Sequence, residues 1–256
     1  MDVITIPFTS FKESVSAALE ALQTKKILKQ QTKFLLKPNL VNNSPPPITT
    51  PVDFTKAVIE YIRDFSNAEI VVGEGCGDPG IETQEVFRRL GYATLEKKYR
   101  GVTLLDLNNA PLKRLTDKSC SVFPEIYLPE IIFSHYLISL PTLKAHSLAI
   151  ITGTLKNMIG VAPPKYYSGR FGIWRKSLFH QKMQTSIIEL NKYRRPDLSL
   201  IDASIGLSEF HLGGKQCDPP LKTIVAGFDP VSVDRKGAEL LGLNWKSIAH
   251  LCYEYS

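Results

Sequence analysis

The sequence predicts an α/β fold with a mostly parallel, open sheet and crossover helices on both of its faces. Apolar runs of strand length alternate with helix-period segments through most of the 256 residues, which is the pattern of parallel strands joined by helices. Hydrophobic residues make up 43% of the chain and charged residues 22%, a composition that supplies a sizeable core and excludes general disorder. We therefore expect residues 1–256 to form one α/β domain.

In the first half of the chain, the expected elements carry their own boundary signals. Ser10 suits a helix N-cap, because a serine oxygen accepts a backbone N–H there, and Pro51 suits the first residue of a later helix. Gly91 suits a helix end. The predicted order is strand Asp2 to Pro7, helix Phe11 to Leu22, strand Phe34 to Leu36, helix Val52 to Phe65, strand Glu69 to Val72, helix Glu82 to Leu90 and strand Val102 to Leu107.

The second half of the chain continues the alternation of strands and helices. Asp229 suits the N-cap of the last helix, and Gly242 suits its end. The predicted order is strand Tyr136 to Ser139, helix Gly153 to Ile159, helix Gln184 to Lys192, strand Leu198 to Ile201, strand Thr223 to Val225 and helix Pro230 to Leu241.

Polar or charged side chains recur just past the carboxyl ends of the predicted strands. In open α/β sheets, ligands bind at this edge, near the point where the strand order reverses. Strand-end loops are polar in most proteins, so ordinary loop polarity is the alternative interpretation. The residues are Lys37, Asn39, Glu74, Asp106, Lys144, His146, Asp202 and Asp229.

Residue type suggests a division of roles within this group. We assign catalysis to His146, Glu74 and Lys144, since a histidine can transfer protons near neutral pH and a carboxylate can act as a base. A lone histidine is more often a structural residue, which is the competing interpretation. Cations and orienting amides would bind the ligand, and the residues assigned to binding are Lys37, Asn39, Lys156, Asn157 and Arg175.

Asp202 and Asp234 are the candidate ligands for a divalent cation. Asp202 ends an apolar strand and Asp234 lies among apolar neighbours on the last helix, so each carboxylate would need a partner once buried. No C-x-x-C pair occurs among the scattered cysteines Cys76, Cys120, Cys217 and Cys252. We therefore expect no iron–sulfur cluster, zinc ribbon or disulfide framework, and the identity of any cofactor stays open.

Two glycine-containing segments have the form of anion-binding turns. Gly75 to Gly80 matches G-x-G-x-x-G between a strand and a helix, although Pro79 lies among the residues whose amides would hold a pyrophosphate. The alternative is a turn that lets Glu74 approach a ligand. Gly153 to Asn157 begins a helix whose free amides, together with Lys156, could bind an anion, and an ordinary capped helix is the alternative.

Basic residues are concentrated between Lys165 and Arg195. This segment has a formal charge of +7, whereas the rest of the chain carries −1. Aromatic side chains lie between its cations, which suits a lid over an anionic small molecule, stacking on nucleic-acid bases, or a solvated face anchored by aromatics. We favour a lid at about residues 163–183, because a long connection without sustained helical period is usually functional or flexible.

A series of short motifs occurs in one order between about Lys33 and Leu243. They are Lys37 to Val41, Thr49 to Pro51, Val71 to Gly75, Leu140 to His146, Gly153 to Asn157, His180, Leu200 to Asp202 and Asp229 to Asp234. Together they resemble the domain-of-unknown-function family 362, which is largely uncharacterised. Many members carry a ferredoxin-like iron–sulfur module that this chain lacks. The segment Gly206 to Gly214 also departs from the glycine- and proline-rich loop expected after the aspartate strand.

The leading functional hypothesis is an enzyme, or an enzyme-derived protein, that binds an anionic small molecule at the carboxyl edge of the sheet. One alternative is a non-catalytic accessory or electron-transfer partner without its own cluster, and another is a nucleic-acid-binding protein that uses the basic segment. No run approaches about 18 consecutive apolar residues, and no secretory signal begins the chain. We therefore expect a cytoplasmic protein without a membrane span. The sequence leaves reaction type, substrate and oligomeric state open.

Overall fold

The protein is described by a computed structural model over residues 3–169 and 174–255. Asp2, Arg170 and Phe171, which belong to a predicted strand and to the basic segment, lie outside these residues. The strands are β1 (Val3–Pro7), β2 (Lys33–Pro38), β3 (Glu69–Glu74), β4 (Val102–Asp106), β5 (Leu112–Thr116), β6 (Glu125–Pro129), β7 (Tyr136–Leu140), β8 (Thr142–His146), β9 (Ile150–Thr152), β10 (Leu198–Leu207) and β11 (Thr223–Gly227). The α-helices are α1 (Phe11–Ala21), α2 (Lys25–Lys29), α3 (Val52–Arg63), α4 (Thr83–Arg89), α5 (Ala93–Lys98), α6 (Ile131–Ser134), α7 (Thr154–Asn157), α8 (Pro164–Tyr167), α9 (Leu178–Gln181), α10 (Met183–Tyr193), α11 (Pro230–Leu240) and α12 (Ala249–Cys252).

The main sheet has the order β1-β11-β10-β7-β2-β3-β4, and β8 joins it beside β10 and pairs with β9. Its central pairs, from β10 through β7 and β2 to β4, are parallel, which confirms the predicted α/β class. The edge is different, since β11 runs antiparallel to both β10 and β1. Gly227 at the end of β11 therefore lies beside Ser199 near the start of β10. Asp229, expected at the carboxyl edge, follows β11 and lies at the opposite edge of the sheet.

Residues of each central strand alternate between two hydrophobic cores, one on each face of the sheet. On β2, Phe34 and Leu36 pack into a core with α1 and α3, whereas Leu35 packs into a core with α10 and α11. This alternation is the period of two that a strand imposes on its side chains. Helices therefore cover both faces, as predicted. Among the described helices, none combines the length and the apolar character that crossing a membrane requires.

Two hairpins were missed by the sequence prediction. β5 and β6 form a separate antiparallel pair in the stretch between Leu107 and Tyr136, where we predicted no element. The predicted strand at Tyr136 is followed by a second one, β8, which pairs with β9. Pro141 separates β7 from β8, because a proline nitrogen has no hydrogen to donate to a strand ladder. As a result, Lys144 and His146 lie on a strand instead of in a loop.

Candidate active site

A cavity of about 270 Å³ opens at the carboxyl edge of the sheet. Lys37 contacts two of the residues around it without lining it, and Asp202 and Asp234 lie outside its lining. The cavity is lined by seven of the ten residues that we assigned to the site, namely Asn39, Glu74, Lys144, His146, Lys156, Asn157 and Arg175. Residues from four distant segments thus meet at the sheet edge. The hydrogen bonds and ion pairs that each residue makes within the protein indicate its role.

Glu74 is held by a buried ion pair and by backbone donors. Its Oε1 accepts from Lys37 Nζ at 2.7 Å and from the Gly75 N–H at 2.8 Å, and its Oε2 accepts from the Leu40 N–H at 2.7 Å. Burial lowers the pKa of Lys37, and the attraction of Glu74 opposes this effect. A Cβ atom on Gly160 would lie 2.3 Å from Glu74 Oε1, so only glycine fits over the pair. These contacts favour a structural role for Glu74 over the base role that we assigned.

The two asparagines hold neighbouring groups of the site in place. Asn157 donates to the Lys37 carbonyl at 3.0 Å and to Ser139 Oγ at 3.1 Å. Asn39 Oδ1 accepts from Lys144 Nζ at 2.5 Å, and the Ile48 carbonyl accepts from the same ammonium at 2.6 Å. Burial, together with the like charge of Lys156, lowers the pKa of Lys144 well below its usual range, and the attraction of Glu74 only partly opposes this effect. Lys144 is therefore held in place, and both of its hydrogen bonds are to neutral oxygens.

His146 is a neutral imidazole whose hydrogen is on Nε2. Its Nδ1 accepts from the backbone N–H groups of Leu148 at 3.0 Å and Ala149 at 3.1 Å, so the ring hydrogen must be on the other nitrogen. Burial, with Lys156 nearby, lowers the pKa of His146 far below its usual range. The buried Nε2–H has no hydrogen-bond partner in the described structure. This side chain can donate a hydrogen bond, but it is poorly suited to the proton transfer that we assigned to it.

The ring of His146 is stacked on that of His211, with centroids 3.8 Å apart and an interplanar angle of 20°. Burial lowers the pKa of His211 to about 3, with Lys156 and Lys144 adding to the effect. Its Nδ1 is also buried and has no partner within the described residues. The two histidines therefore form a neutral polar wall of the cavity with unsatisfied hydrogen-bonding capacity.

Lys156 is the cavity-lining cation for which the described residues supply neither a hydrogen bond nor an ion pair. Burial lowers its pKa to about 8. It lies on α7, a single helical turn after the β8–β9 hairpin, and α7 packs against α11. At neutral pH its ammonium remains mostly protonated, so an uncompensated positive charge faces the cavity.

Asp234 and Asp202 are both engaged by backbone donors. Asp234 accepts from the N–H groups of Thr154 at 2.5 Å and Leu155 at 2.9 Å, and so caps the helix that carries Lys156. The two amides proposed to bind an external anion are thus occupied by this carboxylate. Asp202 accepts from the Ser204 N–H at 2.9 Å. The described residues contain no group of three or more His, Cys, Asp or Glu that could hold a metal ion. The divalent cation expected at these aspartates therefore gains no support.

The glycine-rich turn after β3 uses its own amides internally. The Gly75 N–H donates to Glu74, and the Cys76 N–H donates to Thr83 Oγ1 at 3.1 Å. The N–H groups of Gly77 and Asp78 both donate to the Val41 carbonyl, at 3.0 and 3.2 Å. A dinucleotide pyrophosphate would need these amides to be free. The contacts favour the alternative interpretation, in which the turn brings Glu74 into the site.

The basic segment contributes one wall of the cavity. Lys176 is buried, and its Nζ donates to the carbonyls of Gly75 at 2.6 Å and Gly160 at 2.8 Å. Arg175 is paired with Glu82 at 2.5 Å, and its backbone N–H donates to the Gly77 carbonyl. Further cations of the segment are paired with acids elsewhere, which leaves a smaller exposed charge than the sequence implies. Closure of this segment as a lid stays a prediction.

Trp174, Lys176 and His180 line the cavity and belong to the segment predicted as a lid, although no individual site role was assigned to them. Two further lining residues escaped the sequence analysis, His211 and the half-exposed Phe210. His180 was present among the ordered motifs, but nothing in its surroundings assigned it a role. His211 lies in the segment that departs from the family pattern, and this departure was the available signal. No periodicity links a loop histidine to a strand more than sixty residues away, so its stacking on His146 could not be predicted.

Fold and site together define an α/β protein with a basic, histidine-lined cavity at the carboxyl edge of a mostly parallel sheet. The chain belongs to the family described as "Domain of unknown function (DUF362)", whose model matches residues 34–239. This match confirms the resemblance drawn from the ordered motifs. A comparison with curated proteins found no match.

Two solved structures share the fold at low sequence identity. The lactate racemase apoprotein from Thermoanaerobacterium thermosaccharolyticum has a TM-score of 0.52 and 13% identity, over 92% of this chain and 56% of that chain. A protein from Thermotoga maritima has a TM-score of 0.51 and 13% identity, over 91% of this chain and 58% of that chain. The chain thus spans little more than half the length of either structure. At this identity the likeness establishes the fold alone.

Proposed function

We propose that this protein binds a small anionic molecule in the cavity and acts on it as an enzyme. Two cavity-lining donors without a partner among the described residues carry the proposal, namely the buried Nε2–H of His146 and the partly exposed Lys156 ammonium. Buried polar groups are almost always hydrogen-bonded, so the Nε2–H of His146 requires an explanation, and a bound ligand supplies one. Both side chains line the same cavity, and a bound carboxylate or phosphate would offer acceptor oxygens to them.

The charge balance of the cavity supports an anion over a cation. Glu74 is the sole carboxylate among the described residues that line the cavity, and Lys37 already neutralises it. Lys156 adds a positive charge, Lys176 also lines the cavity, and Arg175 lines it while paired with Glu82. Burying cations without counter-ions is unfavourable, so a bound anion would stabilise the site.

The size of the site favours a small molecule over a nucleic acid. A cavity of about 270 Å³ suits a compact organic acid or phosphate compound, and its polar groups lie within it instead of along an exposed surface. The lactate racemase with a similar fold is named for a small carboxylate of this class. At 13% identity this similarity supports the choice of probe and gives no residue roles.

Calorimetric titration with lactate and with inorganic phosphate tests the proposal. We expect Lys156→Met to weaken binding roughly tenfold to a hundredfold, because a hydrogen bond to a charged group contributes about 1.5–3 kcal/mol. The matched control is Lys165→Met, an exposed lysine of the basic segment that does not line the cavity, which should leave binding unchanged. Equal affinity in the wild type and in Lys156→Met, or no binding of either anion, would contradict the proposal.

A further inference from the structure

The lysines around the cavity differ in whether their nitrogens are already held. Lys37 is paired with Glu74, Lys144 donates to two oxygens at 2.5 and 2.6 Å, and Lys176 donates to two carbonyls at 2.6 and 2.8 Å. Lys156 has no such contact in the described structure. Its nitrogen is therefore the one of these four that can approach a ligand without breaking an existing bond.

We propose that Lys156 is a nucleophile that forms an imine with the carbonyl carbon of a small anionic carbonyl compound of the 2-oxo acid class. This inference rests on the proposed function, since the ligand must first enter the same cavity. In a 2-oxo acid, the carboxylate and the carbonyl carbon are adjacent atoms. An ammonium that attracts the carboxylate is consequently close to the carbonyl carbon, which it can attack once it has lost its proton.

The environment of Lys156 supports this reactivity. Burial lowers its pKa to about 8, against 10.5 for an ordinary lysine. At pH 7 the fraction of neutral, nucleophilic amine is then roughly two orders of magnitude higher than for an exposed lysine. Desolvation of this kind is one established way in which proteins activate a lysine toward carbonyl compounds.

The step balances without any further reactant. The Lys156 nitrogen forms a bond to the carbonyl carbon while the C–O π electrons move to oxygen, which gives a carbinolamine after a proton passes from nitrogen to oxygen. The C–O bond then breaks, the oxygen leaves as water with both hydrogens of the amine, and the C=N bond of the imine remains. No atom is oxidised or reduced. The neutral Nε2–H of His146 can donate a hydrogen bond to the carbonyl oxygen and polarise it.

Reductive trapping tests the inference. The full chain is incubated with pyruvate or glyoxylate, treated with sodium borohydride, and analysed by mass spectrometry with peptide mapping. We expect one reduced adduct, located on Lys156, whose yield rises with pH as the amine loses its proton near pH 8. Lactate, which has a hydroxyl group in place of the keto or aldehyde carbonyl of an oxo acid, serves as the unreactive anion and should give no adduct.

Two variants separate the amine from its charge. Lys156→Arg keeps a positive charge but lacks a nucleophilic amine, so it should lose the adduct. Lys165→Arg makes the same change at an exposed lysine and should be trapped like the wild type. Peptide mapping of the wild type does not depend on either variant folding.

The outcomes distinguish this inference from the proposed function. Lactate or phosphate binding without any adduct from either oxo acid would overturn the imine and leave the anion site standing. An adduct confined to another lysine would also overturn it. Trapping on Lys156 without measurable binding of lactate or phosphate would support the imine and contradict the broader anion-binding proposal.

Discussion

The four lysines around the cavity differ in their availability to a ligand, because they make different contacts. Lys37 is neutralised by Glu74, Lys144 and Lys176 donate to neutral oxygens, and Lys156 is left without a partner. A buried charge is costly unless it is paired, so the first three are best explained as parts of the framework. The proposed anion binding therefore rests on Lys156 and on the neutral His146, which lines the same cavity.

The pH dependence of anion binding tests this assignment at the level of single residues. Lys156 has a pKa lowered to about 8 by burial, so its charge is present below that pH and is lost above it. His146 stays neutral through the physiological range, because burial lowers its pKa far below 6.5. We expect the affinity for lactate to fall as pH rises through about 7 and about 8, because Lys176, whose pKa burial lowers to about 7, and then Lys156 lose their charges. An affinity that stays unchanged between pH 6 and pH 9 would contradict the assignment.

At the scale of elements, the short helix α7 depends on a tertiary contact for its geometry. Four residues make too few hydrogen bonds to be stable alone, and the cap comes from Asp234 on α11 instead of from a neighbouring residue. A Cβ atom on Gly153 would lie 2.3 Å from Asp234 Oδ1, so the close approach also requires glycine. The position of Lys156 is therefore set by α11.

Asp234→Ala should weaken both folding and ligand binding. It leaves the buried N–H groups of Thr154 and Leu155 unsatisfied, and we expect a loss of roughly 1–3 kcal/mol in the free energy of unfolding. Because α7 also carries Lys156, the affinity for lactate should fall about tenfold or more. Urea unfolding and calorimetry measure the two effects.

The matched control is Asp229→Ala. Asp229 caps α11 by accepting from the N–H groups of Val231 and Ser232, but it lies at the opposite edge of the sheet. We expect its replacement to lower stability by a similar roughly 0.5–2 kcal/mol without changing the affinity for lactate. Equal losses of affinity in the two variants would show that the cap of α7 does not position the site.

At the scale of the whole molecule, several histidines are buried as neutral rings. Burial lowers the pKa of His250 to about 4 and that of His211 to about 3, and it lowers the pKa of His146 further. Asp234 acts in the opposite direction, since burial raises its pKa to about 7. Burial also raises the pKa of Asp202, and we expect the three histidines that stay neutral in the folded state to outweigh these two carboxyl groups.

Stability should therefore decline in mild acid. Each histidine has a folded pKa below its unfolded value of 6.5, so its contribution is complete above pH 6.5 and is lost as pH falls toward the folded pKa. For the fully buried His250 the loss amounts to roughly 3 kcal/mol by pH 4. Urea unfolding between pH 7 and pH 5 measures the decline, and His250→Gln should make it shallower. A constant free energy of unfolding over this interval would refute the neutral-histidine assignment.

Strand and helix periods are local properties, so the sequence by itself determined most of the elements and the α/β class. The alternation of Phe34, Leu35 and Leu36 is sufficient to place a two-sided strand, and Ser10 and Asp229 do act as the expected N-caps. The ordered motifs were also sufficient to identify the family. The short hairpins were missed because a few residues carry little periodicity.

Only the tertiary structure decided which groups of the site are available. Residue type made Glu74 and Lys144 at strand ends and Lys156 at a helix start similar as charged site candidates, but their states depend on contacts with distant segments. The tautomer of His146 is fixed by two backbone donors of a tight turn, and its stacking partner His211 comes from a distant loop. Because β11 runs antiparallel to β10, Asp229 lies at the edge of the sheet opposite to the cavity. Burial and hydrogen bonding arise from contacts between segments, and no local pattern encodes them.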